Sequence, residues 1–63
     1  NNMKRIKVVY RERNFIDRYT CRDYTRTLYA DSMFQQGGLT YFKINQFDYR
    51  TVETYLIDSI EGV

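Results

Sequence analysis

Histidine is absent from this sequence, cysteine occurs once, at Cys21, and there is neither proline nor tryptophan. Each gap excludes something. A lone cysteine forms no intramolecular disulfide, so a disulfide-stapled secreted scaffold is ruled out. One thiol with no imidazole leaves too few soft ligands for a structural zinc site. Without histidine, the usual general acid–base group at neutral pH is missing. No apolar run approaches the ~20 residues that span a bilayer, and no signal-peptide pattern opens the chain. These absences imply a soluble, cytoplasmic protein with no cofactor and no metal.

Sixty-three residues allow one domain over 1–63, with one core. A chain this short buries only about 60% of the surface exposed by its unfolded form, so association with a partner is the stabilising aid still open to it. Asn1 and Asn2 precede Met3, which reads as the natural start, and both are set aside as added residues. Hydrophobic residues make up 43% and aromatics 17%, which places the chain among folded rather than disordered proteins. Seven tyrosines and four phenylalanines predict a tyrosine-heavy core, with rings inward and hydroxyls at the rim.

Period-two alternation is clearest from Lys4 to Arg11. Ile6, Val8 and Tyr10 face one way, and Arg5, Lys7, Val9 and Arg11 the other, as in a half-buried strand. The polar run Arg11–Asn14 reads as a turn. A second strand is expected from Phe15 to about Asp23, and a third, bent or bulged one from about Tyr24 to Phe34. Gly37-Gly38 supplies the positive φ of a hairpin loop, with strands on either side. Leu39–Ile44 resumes as strand, and Asn45-Gln46 is a polar break.

Residues 49–60 admit two readings. As a helix, Asp48 is the N-cap, Phe47 and Val52 form a hydrophobic staple, and Gly62 ends the element. As strands, Tyr49–Glu53 and Ile57–Gly62 flank one tight turn at Thr54-Tyr55-Leu56. The β-branched and aromatic residues Thr51, Val52, Thr54, Tyr55 and Ile57 favour strands. The expected fold is therefore all-β, a small barrel or a strongly twisted antiparallel sheet of five to six strands. The alternative is an α+β domain with a C-terminal helix at about 49–60.

This order of a basic first strand, a glycine hairpin and the run from Thr51 through Tyr55 and Ile57 to Glu61 resembles small SH3-like and Sm-like barrels. In those, a strand passes through one 3₁₀ turn into a short closing strand. The resemblance implies such a barrel, and an origin among proteins of bacterial phages and mobile elements. It carries over no functional residue.

The carboxylates Glu12, Asp17, Asp23, Asp31, Asp48, Glu53, Asp58 and Glu61 are scattered, and a domain this small is expected to enclose no cleft of the usual ~300 Å³ or more. Cys21 lies between Arg18 and Arg22, which would lower its pKa if it were exposed. The plainer expectation is a buried small hydrophobe. Gly37-Gly38 lacks the spacing and lysine of a phosphate loop. No enzyme is indicated.

Charge is distributed unevenly. Residues 1–30 hold eight basic residues against three acidic ones, net +5, and residues 31–63 hold two against five, net −3. Seven of the ten cations are arginine, which suits planar contacts with carboxylate or phosphate. If the first strands pair, Lys7, Arg11, Arg18, Arg22 and Arg26, with Tyr24 among them, would form one basic stripe. That face is the candidate binding surface. A protein partner or self-association is the expected mode, the basic half of one copy meeting the acidic half of another. Nucleic acid is the alternative, although a net charge of +2 falls short of the usual basic footprint. A membrane or a small-molecule substrate is not expected.

Overall fold

The computed structural model describes residues 5–62, so the expected strand start at Lys4 and the start at Met3 lie outside the described residues. Six strands form: β1 (Ile6–Phe15), β2 (Cys21–Ala30), β3 (Ser32–Gln36), β4 (Leu39–Lys43), β5 (Tyr49–Glu53) and β6 (Ile57–Gly62). A 3₁₀ turn, Thr54–Leu56, joins β5 to β6. The strands make two three-stranded antiparallel sheets, ordered β2-β1-β6 and β3-β4-β5. The all-β expectation holds, in the form of two sheets without a closed barrel among the described residues.

The helix considered for 49–60 does not form. Val52 and Leu56 are buried, four residues apart as a helix would place them, but one is reached from a strand and the other from the 3₁₀ turn. The β-branched residues keep their preferred extended backbone on both sides.

Between the sheets lies one core: Val8, Tyr10, Leu28 and Ala30 from the first, Phe42 and Val52 from the second, and Leu56 from the 3₁₀ turn. The tyrosine-heavy core is not found. Tyr10 is the one tyrosine in that cluster, while Tyr19, Tyr24, Tyr29, Tyr49 and Tyr55 are exposed. Two short facing sheets leave room for aliphatic side chains and one phenylalanine, and the tyrosine rings lie on outer faces and on a projecting hairpin.

Gly37 and Gly38 both adopt positive φ, 61° and 78°, as a two-residue hairpin turn of this hand requires. The Gly38 carbonyl accepts the Thr54 backbone N–H at 2.9 Å. One sheet's hairpin thus anchors the 3₁₀ turn. Beside that bond, the Thr40 and Thr54 hydroxyls meet at 2.8 Å, and Thr40 is fully buried. Removing one hydroxyl strands the other, whereas removing both leaves no orphan. Thr40→Val and Thr54→Val should each cost about 1–2 kcal/mol, and the double variant less than their sum. Additive losses in a urea-denaturation cycle would show that this bond contributes nothing.

Two strand boundaries differ from expectation. The run Arg11–Asn14 is strand, not turn, and the reversal lies at residues 16–20. There the Ile16 N–H donates to the Thr20 carbonyl at 2.9 Å. The Asp17 carboxylate accepts the N–H groups of Tyr19 and Thr20 at 2.8 and 2.9 Å, so an Asx turn replaces the glycine that such a loop often needs. The separate second strand from Phe15 to Asp23 therefore does not exist. The bend expected within 24–34 falls at Asp31, where β2 passes into β3 and the Asp31 N–H donates to Lys43 in the second sheet at 2.8 Å.

Candidate interaction surface

β6 covers β1 only as far as the Tyr10↔Ile57 pair. Beyond it, β1 and β2 continue as a two-stranded ribbon, in register from Arg11↔Thr25 to Phe15↔Cys21. Every β2 residue from Cys21 to Thr27 is exposed, and the molecule measures 48 × 21 × 18 Å. The ribbon is an arm. Its end carries Phe15, Ile16 and Tyr19, exposed at 74%, 56% and 88%. Large apolar side chains thus lie exposed at the end of a protruding element.

The arm is stiffened by cross-strand ion pairs. Arg13 Nε lies 3.1 Å from Asp23 Oδ1, and Arg26 Nε lies 3.0 Å from Glu12 Oε1. The hydrogen bond and charge of Asp23 raise the Arg13 pKa above its usual value, so this cation stays charged at any working pH. At the arm's base, Arg11 Nη2 donates to the Tyr55 carbonyl at 3.2 Å. Its Nε sits 3.2 Å from Asp58 Oδ1, close enough for an ion pair but without a well-aimed hydrogen bond. Asp58 is the extra residue at the irregularity where the β1–β6 register shifts between Val9 and Tyr10. Arg11 thereby fastens the arm to the 3₁₀ turn and to β6.

The single basic stripe divides. Directly opposed residues share a face of the sheet, so Lys7 and Arg11 lie on one face, opposite Tyr29 and Thr25. Arg22, Tyr24 and Arg26 lie on the other, opposite Asn14, Glu12 and Tyr10. Arg18 is in the turn. Arg11 and Arg26 are committed to Asp58 and Glu12, and Lys7, Arg18 and Arg22 have no ion-pair partner among the described residues.

Cys21 is exposed at the arm's end, not buried as expected, because β2 starts well outside the core. A cleft larger than expected is present, open to solvent rather than enclosed. An open cleft of about 430 Å³ lies where the arm leaves the body, between Tyr10, Glu12, Arg13 and Phe15 on one side and β5 with Tyr55 and Leu56 on the other. It holds two carboxylates, of which Glu12 is engaged by Arg26. Among the described residues no cluster of His, Cys, Asp or Glu is gathered as a metal site, and no helix is long and apolar enough to cross a membrane.

On the outer face of the second sheet Phe34 stacks on Tyr41, with centroids 4.7 Å apart and planes at 10°, and Tyr49 meets Phe34 edge-on at 6.3 Å. Neither this cluster nor the apolar tip of the arm was anticipated. The tip carried one signal in the sequence: Phe15-Ile16 and Tyr19 flank an Asp that can cap its own turn. The chain matches no protein-family model, no curated protein and no solved structure.

Proposed function

We propose that this chain is a small non-enzymatic interaction module that works by protein contact, self-association included, through its β1–β2 arm. The observation carrying this reading is the exposed apolar end of the arm, Phe15, Ile16 and Tyr19, on a ribbon crossed by two ion pairs. Rigid aromatic anchors on a pre-ordered element lose little entropy on binding. On the order of its elements alone, we also propose a kinship with the small SH3-like barrels of phages and mobile elements. The test is affinity capture from the native host with the wild-type chain and with the triple variant Phe15→Ser, Ile16→Ser, Tyr19→Ser. Wild type should retain a partner that the variant loses. Equal capture by both would remove the arm from the interaction.

A second reading, binding of single-stranded nucleic acid, draws on Arg18 and Arg22, which have no ion-pair partner among the described residues. With Lys7 on the opposite face, few cations remain for phosphate. Oligonucleotide affinity should therefore be weak, with a log–log salt slope no steeper than about −2, at roughly 0.7 per contact. A slope of about −3.5 or beyond in a fluorescence-anisotropy salt series would reinstate the full five-cation face and displace the protein-contact reading.

A further inference from the structure

The outer edge of β2 is covered by no strand among the described residues, since β2 pairs only with β1. We propose that this edge pairs with β2 of a second copy, antiparallel about a two-fold axis through Thr25, joining two three-stranded sheets into one of six strands. This deepens the interaction-module reading, on which it rests.

The backbone is prepared for it. Ile16 donates to Thr20 at 2.9 Å, and in an antiparallel ladder bonded and non-bonded pairs alternate. Counting back from that bond, Glu12 with Tyr24 and Tyr10 with Arg26 are bonded pairs. Asp23, Thr25 and Thr27 belong to non-bonded pairs, so their N–H and C=O groups point away from β1, along the open edge. A second copy of β2 offers the same groups in the same spacing.

Side chains select the register. A two-fold axis normal to the sheet sets residues of equal parity opposite one another and is centred on one residue. Centring on Arg22 or Arg26 opposes that arginine to itself, and centring on Asp23 opposes two carboxylates. Centring on Tyr24 sets Arg22 against Arg26. Each places like charges directly across the ladder, which is destabilising. Centring on Thr25 avoids every such clash. It pairs Thr25 with Thr25, Asp23 with Thr27, and Tyr24 with Arg26 on both sides of the axis. Threonine pairs and arginine over a tyrosine ring are favourable neighbours. Tyr24 is exposed, and the Arg26 guanidinium is oriented by Glu12 at 3.0 Å. Centring on Thr27 sets Asp23 against Asp31 just past the strand, loses both Tyr–Arg pairs and moves the contact onto Leu28 and Ala30, whose side chains are committed to the core. The edge charges thus choose one register instead of forbidding pairing.

Sedimentation equilibrium of the full chain up to about 0.5 mM should show a reversible dimer. Thr25→Pro removes an edge-facing N–H without touching the β1 ladder, as proline at an edge permits, and should weaken the dimer by about tenfold or more. Tyr24→Lys faces Glu12 within its own chain, so the fold is kept, and it sets a cation against Arg26 of the second copy. It should weaken the dimer comparably. Cys21 allows an independent measurement. In this register it lies opposite Tyr29 of the second copy, eight residues from its own mate, so spin labels there should report a separation of about 25–35 Å. A chain monomeric throughout, a dimer indifferent to both variants, or a label distance under about 15 Å would overturn the inference. If the chain is monomeric while the arm still captures a different protein, the interaction-module reading stands and only the pairing falls. If it is monomeric and captures nothing, both fall.

Discussion

Phe42→Ala should leave the chain largely unfolded at room temperature. Phe42 lies in the middle of the central strand of the second sheet, opposite Met33 and Arg50, and its ring is fully buried among residues of both sheets. Truncating a buried phenylalanine costs about 3–5 kcal/mol, through lost transfer energy and the cavity left behind. A chain of this size carries a total stability of only about 3–9 kcal/mol, so one substitution consumes most of it. The neighbouring residue is an internal control. Tyr41 points out of the same strand and stacks on Phe34, so Tyr41→Ala loses a surface aromatic pair, at about 0.5–1.5 kcal/mol plus a little area. Urea denaturation followed by far-UV circular dichroism should separate the two variants widely. If they lose similar stability, the core does not lie where these two sheets place it.

Much of this architecture was legible because the local signals and the packing agreed. Val8 and Tyr10 alternate with Lys7 and Arg11 and meet a core on one face only, so the strand could be read from four residues. The paired glycines required positive φ, and the β-branched run from Thr51 to Ile57 kept extended backbone around a single 3₁₀ turn. What failed was the reading of charge as a sign of turn. Arg11-Glu12-Arg13-Asn14 looks like a loop because sequence alone shows solvent-seeking side chains, not the strand on which they lie. Arg13 opposite Asp23, and Glu12 reaching Arg26 on the facing strand, are long-range complements visible only once the reversal at Asp17 is placed. The same misplacement buried Cys21 and merged Lys7, Arg11, Arg22 and Arg26 into one stripe, because parity fixes faces only when the register is known. The tyrosines misled for a different reason. Amphipathic rings suit a rim, an outer face or an arm equally well, and composition does not say which.

A charge placed at Val8 offers a sharper test of the core, because its effect should depend on pH in a known direction. Val8 is fully buried at the centre of the first sheet, between Leu28 on β2 and Ile60 on β6. Val8→Asp sets a carboxyl among the apolar side chains of the core. An ionised group there costs several kcal/mol, so the carboxyl is held protonated, with its folded-state pKa raised above the ordinary value of about 3.9. With the folded pKa above the unfolded one, the native state binds more protons across the interval between them. Stability therefore falls as pH rises through that interval. The variant should be nearly unfolded at neutral pH and recover part of its structure towards about pH 4. Val8→Asn is the matched control, similarly polar but without a proton to lose. It should be destabilised by a nearly constant amount, and subtracting its stability from that of Val8→Asp removes any pH response common to both variants. If the difference between the two variants stays flat from pH 4 to 8, the side chain at this position reaches water. The first sheet would then not pack face-on against Phe42 and Leu56.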